Sequence, residues 1–365
     1  MKTWFINYFL FFCRVGGNFF KSHSTLHTPL FTLLMCFPVA AQELERFTFH
    51  SVEMAVPVSV TLYAEDEAVA KEAAEAAFLR FRDLNARLSD YAPESELRQF
   101  CDHAQVGEFR TVSEDLWNVL AESVRVAKLS DGAFDPTVGQ VVKLWRRARG
   151  VKKLPAEKDI ARALETVGYE NLLLDTESRS VALAIPGGER GVRIDLGGIA
   201  KGYAIDEAIK AVGTHGIARV LVDAGGDIGV GAPPPGRDAW IIEVISPGNA
   251  DPAAEKRFIH VSHCGLANSG DLSQFLEADG KRYSHLVDPK TGVGLTHRAT
   301  VSVIAPTAME ADALASAVSV LGKQRGLEMI EKLPGVETQM LMPTEDGEVV
   351  AAESSGWGAF VVRSL

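Results

Sequence analysis

An aspartate and a serine, Asp312 and Ser316, lie four residues apart in a segment of mostly alanine and leucine, residues 308–317. At this spacing both side chains project from the same face of a helix. An aspartate in such apolar surroundings is costly unless it has a partner, and the alternative is that it faces solvent. A carboxylate and a hydroxyl are hard oxygen ligands, which suit magnesium well and zinc poorly. The pair therefore predicts a magnesium site on this helix.

A second segment, residues 193–202, joins a predicted strand to a predicted helix through the glycines Gly197 and Gly198. Glycines allow the backbone to approach a ligand closely, and the N-terminus of a helix presents free N–H groups to phosphate. Lys201 lies in the first turn of this helix, where a positive charge opposes the helix dipole. An anionic ligand would remove that conflict, so the segment indicates a phosphate site. A surface lysine beside an ordinary glycine turn is the alternative.

Two further segments, residues 131–139 and 283–292, contain Asp-Pro turns. Such turns fix the backbone and carry side chains that bind backbone or ligand groups. His285 stands between a serine and the second of these turns. A lone histidine is more often structural than catalytic, but the polar neighbourhood makes His285 a candidate general base. For residues 131–139 taken alone, an ordinary loop at the entry of a helix is the preferred interpretation.

The hydrophobic pattern predicts an α+β fold, because helices and strands follow one another without a regular βαβ alternation. Ser113 is expected to cap one helix at its N-terminus, and Gly168 is expected to cap another at its C-terminus. The predicted helices are 65–87, the segment after Ser113, the segment around 141–145, 156–167, 200–212, 308–321 and 326–333. The predicted strands are 56–63, 192–196, 219–222, 240–245 and 300–304.

The chain has 365 residues and a formal net charge of -11, and its length allows one large domain or two modest ones. The acidic surface would repel phosphate backbones, which argues against general nucleic-acid binding. An acidic protein that binds an anion has to neutralise it locally, with a metal ion or a lysine. Cys101 and Cys264 belong to no Cys-x-x-Cys pair. This argues against a structural zinc site and leaves a disulfide between them open.

Residues 1–41 are predicted to be a signal peptide, and residues 45–365 to form the functional domain. Residues 1–28 contain basic but no acidic residues, residues 29–41 form a short apolar run, and small residues end it at Ala41. This order is typical of secretory signals. A membrane anchor and lipidation at Cys36 are alternatives, but no apolar run here reaches the roughly 18–20 residues that a spanning helix needs. The protein is therefore expected to be exported and periplasmic, with attachment to the inner membrane left open.

Taken together and in order, several segments resemble the ApbE family of FAD:protein FMN transferases. Any one of them is a weak signal, whereas the ordered set is specific and covers nearly the whole chain from about Met54. The segments are LSDYAPESEL (88–97), DGAFDPTVG (131–139), IDLGGIAKGYAID (194–206), DAGGDIGVG (223–231), NSGD (268–271), YSHLVDPKTG (283–292) and VIAPTAMEADALASA (303–317).

The resemblance implies roles for individual residues. It places a magnesium ion on the carbonyl of Gly198 and on the side chains of Asp312 and Ser316, where many members carry threonine instead of this serine. The family usually has Met-Gly-Thr where this chain has Met54-Ala55-Val56. The positions that the resemblance assigns to FAD are Met54, Tyr91, Ala133, Phe134, Asp135, Asp195, Lys201 and Val287.

The resemblance also implies a fold and an activity. The fold would be an α+β catalytic unit with two lobes, mixed or antiparallel sheets and packed helices around a flavin cleft. The activity would be magnesium-dependent cleavage of FAD, with transfer of FMN to a threonine or serine hydroxyl of an acceptor protein, release of AMP, and His285 as the base. Family members are commonly exported, and their acceptors are often membrane-associated redox subunits. Hydrolysis of FAD to FMN and AMP, or flavin binding without catalysis, are the alternatives.

Overall fold

The computed structural model describes residues 43–244, 257–270, 274–344, 346 and 348–362. Its helices are α1 (Glu67–Leu88), α2 (Glu96–His103), α3 (Glu114–Leu129), α4 (Gly139–Val151), α5 (Glu157–Leu164), α6 (Ala200–Gly213) and α7 (Ala308–Ile330). Its strands are β1 (Glu45–Glu53), β2 (Val56–Ala64), β3 (Arg110–Thr111), β4 (Leu172–Asp175), β5 (Ser180–Leu183), β6 (Val220–Ala224), β7 (Asp227–Val230), β8 (Trp240–Val244), β9 (Arg257–Val261), β10 (Cys264–Gly270), β11 (Phe275–Ala278), β12 (Lys281–Ser284), β13 (Thr300–Ala305), β14 (Glu337–Pro343) and β15 (Val349–Glu353).

The largest sheet has eight strands in the order β1-β2-β6-β7-β10-β13-β14-β15, and each neighbouring pair is antiparallel. Side chains alternate between its two faces. On β6, for example, Val220 and Val222 belong to the main core, whereas Leu221 packs against a cluster on the opposite side. Helices α6 and α7 cover the main-core face, and α1 packs against α6. The β8–β9 hairpin and Trp357 contribute to the cluster on the other face. The central strands are therefore covered on both faces.

Smaller elements complete the fold. A three-stranded sheet, β3-β5-β4, contributes Val181 and Leu183 to the main core. A separate hydrophobic cluster, the Trp145 cluster, joins α4, α5 and the β11–β12 hairpin, and its buried members are Val141, Trp145, Ala148, Ala163, Leu276 and Val287. The α+β prediction, with antiparallel sheets and packed helices, is confirmed.

Local sequence signals fixed most helix starts. The Asp66 side chain accepts a hydrogen bond from the backbone N–H of Val69 at the start of α1, at 2.9 Å. Ser113 caps α3 as predicted, because its Oγ accepts from Leu116 N at 3.2 Å. Both contacts satisfy N–H groups that the first turn of a helix leaves without partners.

Two predicted elements were wrong in their details. Residues 192–196 do not form a strand, because only Val192 and Arg193 make isolated bridges, to Gly187 and Val138 respectively. Helix α5 ends at Leu164 rather than at residue 167, and Gly168 instead precedes a short 3₁₀-helix with φ 146°. Gly168 therefore adopts a backbone conformation that favours glycine, although it does not cap a helix.

The two helices predicted for residues 308–321 and 326–333 appear as α7 with one interruption. Gly322 has φ 72° and ψ -179°, which lies outside the helical region and divides α7 into two segments. The first segment is buried over most of its length, as expected for a helix that packs between a sheet and other helices.

The predicted signal peptide, residues 1–41, lies outside the described residues, as does Asp271 of the NSGD segment. Among the residues that the structure does describe, no helix is both long and apolar enough to cross a membrane. Cys101 and Cys264 are both free thiols, so the disulfide that the sequence left open does not form.

Candidate active site

Helices α6 and α7 are joined at their N-terminal turns by two carboxylates. Asp312 on α7 accepts a hydrogen bond from Gly202 N on α6 through Oδ2 at 3.1 Å. In the opposite direction, Asp206 on α6 accepts from Ala308 N and Met309 N of α7, each at 2.9 Å. These contacts satisfy N–H groups at both helix starts. The relative position of the two helices is therefore fixed from both sides.

Burial dominates the protonation of these two carboxyl groups. It raises the pKa of Asp206 to about 6, against the hydrogen bonds from Met309 and Ala308 that favour the charged form. Burial likewise raises the pKa of Asp312, against Lys201 and the Gly202 N–H, which favour ionisation. Asp312 does not face solvent, so that alternative is excluded.

The glycine turn lies directly against α7. A methyl group placed on Gly198 would come within 2.7 Å of Ser316 Oγ and 3.5 Å of Phe134 Cε2. Three residues that the resemblance singled out, one in each of three segments, thus meet at one point. Glycine is required at this position because a side chain would fill the space next to the Ser316 hydroxyl.

The charge of Lys201, which opposes the helix dipole, already has partners within the chain, so the dipole does not by itself require an anionic ligand, and the FAD contact of Lys201 stays a prediction. Its Nζ forms an ion pair with Asp227 and lies 4.0 Å from Asp312 Oδ1. The exposed fractions of the three side chains are 28% for Lys201, 3% for Asp227 and 9% for Asp312. The charge that opposes the α6 dipole is therefore balanced by carboxylates of the chain itself.

Part of the α6 N-terminus is also already occupied. Ala200 N donates to Leu196 O at 2.9 Å, and Gly202 N donates to Asp312. The first turn consequently offers a ligand fewer free N–H groups than a bare helix end would.

Asp227 is held by residues that the sequence analysis did not select. Asn268 N donates to Asp227 Oδ1 at 2.9 Å, and Ser302 Oγ donates to Asn268 Oδ1 at 2.6 Å. Asp227 belongs to the segment 223–231 and Asn268 to the segment 268–271, both of which carried the resemblance. Asp227 and Asn268 could therefore have been selected from the sequence, as polar residues inside those two segments.

The oxygen atoms in this corner fit a magnesium-type ion. The Gly198 carbonyl, the Asp312 carboxylate and the Ser316 hydroxyl are hard donors, and Asp312 is a buried acid near a single lysine. Within the described ranges, no group of three or more His, Cys, Asp or Glu side chains could hold a metal.

A second cluster surrounds Asp195. Its Oδ1 accepts from Gly197 N and its Oδ2 from Arg146 Nη2, both at 2.8 Å. The Arg146 guanidinium carbon also lies 4.2 Å from the ring centre of Tyr91. The structure thus brings Tyr91 and Asp195 together through Arg146, a residue that the sequence analysis missed.

The 131–139 segment combines a buried loop with a cleft. Ala133 and Phe134 are buried, and so is Asp135, whose carboxylate accepts from Thr137 N, Thr137 Oγ1 and Tyr169 N. Burial raises the pKa of Asp135, although these hydrogen bonds oppose the rise. Its carboxylate is occupied in building the loop, as an ordinary loop at a helix entry would require, and the FAD contact of Asp135 stays a prediction.

An ion pair links this loop to the 283–292 segment, because Lys290 Nζ lies 2.6 Å from Asp131 Oδ2. A cleft of about 380 Å³ opens between the two segments. Its lining residues include Asp131, Gly132, Asp135, Tyr169, Pro289 and Lys290.

His285 follows β12 and is positioned by the neighbouring loop. Its backbone N–H donates to Gln274 O at 2.9 Å, and its ring Nδ1 lies 3.2 Å from the same oxygen. Val287 is buried in the Trp145 cluster. The Asp288 carboxylate accepts from Lys290 N at 2.8 Å and so builds the turn. The catalytic role of His285 and the FAD contact of Val287 stay predictions.

Met54 lies in the tight turn between β1 and β2 and packs against the main core. Met54 and Ala55 both have positive φ angles, 47° and 62°. Such turns favour glycine, which explains why the family pattern has glycine at the position of Ala55.

A sequence model of the ApbE family matches residues 54–340. The FAD:protein FMN transferase of Haemophilus influenzae is 33% identical over 75% of this chain and 79% of its own length. That of Vibrio cholerae is 30% identical over 75% and 80%. The solved flavin transferase ApbE from Vibrio cholerae superposes with a TM-score of 0.75 at 26% identity, over 87% of this chain and 99% of that one. The ApbE protein from Thermotoga maritima gives 0.74 at 29% identity, over 87% and 99%. With its family model, relatives and fold all in agreement, this chain belongs to the ApbE family.

Proposed function

We propose that this chain, a transferase of the ApbE family, is a magnesium-dependent FAD:protein FMN transferase. The relatives from Haemophilus influenzae and Vibrio cholerae carry that name. The observation that carries the proposal is the meeting of Gly198, Lys201, Asp312 and Ser316 at the facing ends of α6 and α7.

The charges of this corner support a requirement for a divalent cation. Lys201 is shared by two carboxyl groups, those of Asp227 and Asp312. One ammonium group beside two acids leaves no surplus positive charge for the diphosphate of FAD. A hard divalent ion, held by Gly198, Asp312 and Ser316, would supply that charge and would stabilise the negative charge that develops on the phosphoryl oxygens.

The residues of the chain then act mainly by positioning. In the proposed reaction, a threonine or serine hydroxyl of the acceptor attacks the phosphorus on the FMN side of FAD. A new phosphoester bond forms, the diphosphate bond breaks, and AMP leaves with the released oxygen. Lys201, fixed by Asp227, donates to the diphosphate, and His285 takes the proton of the attacking hydroxyl.

The test uses the purified chain with FAD, magnesium and a candidate acceptor protein, and follows both AMP and flavin fluorescence bound to denatured acceptor. Asp312→Asn keeps an oxygen that can accept from Gly202 N but removes the charge, so both products are expected to be lost. Glu328→Gln is the control, because Glu328 is an exposed acid in the second segment of α7. Turnover by Asp312→Asn in EDTA at the unmodified rate would refute the site.

Two further substitutions divide the roles. Ser316→Thr keeps the hydroxyl and is expected to remain active, whereas Ser316→Ala is expected to lose activity. His285→Ala is expected to bind FAD normally and to transfer FMN slowly. AMP release without protein-bound flavin in the unmodified chain would instead identify a hydrolase.

We further propose that the protein is exported to the periplasm and acts on a membrane-associated redox subunit. The basic start and the apolar run of residues 29–41 support export. Determining the N-terminal residue of the protein recovered from a periplasmic fraction tests this, with Gln42 as the expected first residue. A chain that keeps residues 1–41 and stays in the cytoplasm would contradict it.

A further inference from the structure

Arg146 lies at the centre of a small polar cluster, defined here as Asp90, Tyr91, Arg146 and Asp195. Its Nη2 lies 2.8 Å from Asp195 Oδ2, and its Nη1 pairs with Asp90 Oδ2. The flat face of the guanidinium covers one side of the Tyr91 ring at 4.2 Å. A planar guanidinium suits this combination, because it can bind two carboxylates and stack on an aromatic ring at once.

The position of Arg146 is fixed from the helix side. The preceding residue, Trp145, is almost fully buried, and its Nε1 donates to Gly292 O at 2.8 Å. The loop that carries Asp90 and Tyr91 is fixed as well, because the Asp90 carbonyl accepts hydrogen bonds from Arg193 Nη2 at 3.1 Å and from Arg98 Nη1 at 3.3 Å. The cluster is therefore a built arrangement between two anchored segments and not a chance surface contact.

The Tyr91 ring remains open to a ligand in spite of Arg146. Tyr91 is 71% exposed, although one of its faces is covered by the guanidinium. The opposite face is therefore free to stack on an aromatic ring system. Asp195 is held only three residues from Gly198, so the cluster leads directly to the proposed diphosphate corner.

A second guanidinium adds positive charge beside the cluster. Arg149 lies one turn further along α4, and its Nη1 is buried without a hydrogen-bond partner among the described residues. Burial and the charge of Arg146 lower the pKa of Arg149, and Tyr91 opposes this. Arg149 thus adds a second positive charge near Arg146 and Tyr91, in a chain whose net charge is -11.

We propose that Arg146 is a positioning residue for FAD, which orients the Tyr91 ring and the Asp195 carboxylate before the dinucleotide binds. The inference rests on the proposed function, since it takes FAD as the ligand. Arg146 touches none of the corner residues Gly198, Lys201, Asp312 and Ser316 in the described contacts. Its removal should therefore weaken FAD binding and leave the rate of the bound complex largely intact.

The test compares Arg146→Met, Arg146→Lys and Arg147→Ala in the full chain. Arg147 is the next residue on α4 and is exposed, so its variant is the control. For Arg146→Met we expect the Kd and KM for FAD to rise about tenfold, roughly 1.4 kcal/mol, with kcat for AMP release within about twofold. Arg146→Lys keeps the charge but not the flat fork, so it should recover only part of the affinity. Arg147→Ala should leave Kd unchanged.

A double-variant cycle separates positioning from general damage. If Arg146 acts through Asp195, then Asp195→Asn and Arg146→Met together should weaken FAD binding by much less than the product of the single effects. Fully multiplicative effects, or an unchanged Kd in both Arg146→Met and Arg146→Lys, would overturn the inference.

The outcome for Arg146 is distinguishable from that of the proposed function. Binding of FAD that depends on Arg146, without AMP release by the unmodified chain, would reject the transferase and keep the positioning role. AMP release that is insensitive to Arg146 would reject the positioning role alone. No binding of FAD to the unmodified chain would reject both.

Discussion

The closeness of α6 and α7 gives a sharp prediction for Gly202→Ala. The added methyl would lie 2.6 Å from the Ala308 carbonyl carbon and 2.7 Å from Met309 Cα, and closer still to the Ala308 carbonyl oxygen. These are backbone atoms, which cannot rotate away as a side chain could. Overpacking of this kind costs about 1–3 kcal/mol, and the rigid backbone places Gly202→Ala at the upper end. Alanine regains up to about 1 kcal/mol through its higher helix propensity. We therefore expect Gly202→Ala to lower the free energy of unfolding by roughly 2 kcal/mol.

The assay is urea unfolding of the unmodified chain and of Gly202→Ala, with Gly213→Ala as the control. Gly213 ends the same helix, and a methyl placed there would meet no atom within 4 Å. Gly213→Ala should therefore unfold at the same or a slightly higher urea concentration. Gly202→Ala should also bind FAD more weakly, because Lys201 and Asp312 would move apart. An unchanged unfolding midpoint for Gly202→Ala would show that α6 and α7 do not need this close approach to hold the site.

Two further predictions concern the turn at Ala55 and the buried Asp206. Ala55→Gly should stabilise the fold by about 0.5–1 kcal/mol in urea unfolding, because Ala55 has a φ angle of 62° that glycine adopts without strain. As the control, Ala86→Gly at an exposed position of α1 should destabilise the fold by about 1 kcal/mol. Equal effects of the two substitutions would contradict the strain argument. The folded chain keeps a proton on Asp206 up to about pH 6, while the unfolded chain releases it near the ordinary value of 3.8. Relative to Asp206→Asn, the free energy of unfolding should therefore fall as pH rises between these values, by at most about 1.4 kcal/mol per pH unit, and stay level above them. A parallel pH dependence of the two proteins would show that Asp206 is not the titrating group.

The sequence predicted those parts of the fold and site that depend on neighbours along the chain. The cap at Ser113 and the four-residue spacing of Asp312 and Ser316 each need only one turn of helix. Paired glycines before a helix likewise identify a turn where the backbone is open to a ligand. The gap predicted between residues 321 and 326 contains Gly322, whose positive φ divides α7.

Contacts between distant residues were not predictable in this way. Arg146 meets Asp195 across 49 residues, and Lys201 meets Asp227 across 26. An arginine in a helix such as α4 is ordinarily a solvated charge, so nothing local distinguishes Arg146 from Arg147. The strand predicted for residues 192–196 was wrong for a related reason, because an extended apolar segment can be buried by loops as well as by strands. Asp195 N bonds to Pro136 O at 2.8 Å, a loop carbonyl and not a sheet partner.

The charge partner of Lys201 comes from a distant part of the chain, and this has a consequence for function. The premise was that a lysine in the first turn of a helix needs an opposing charge, and Asp227 supplies it from the chain itself. Because Asp227 is in turn held by Asn268, the ammonium group is oriented before any ligand arrives. A preorganised donor would lose little further freedom when a diphosphate binds, and it would need little reorganisation as charge develops in the transition state. The carboxylate of Asp227 neutralises most of the positive charge of Lys201. In the proposed function it is therefore the divalent ion, and not Lys201, that has to offset the negative charge of the dinucleotide.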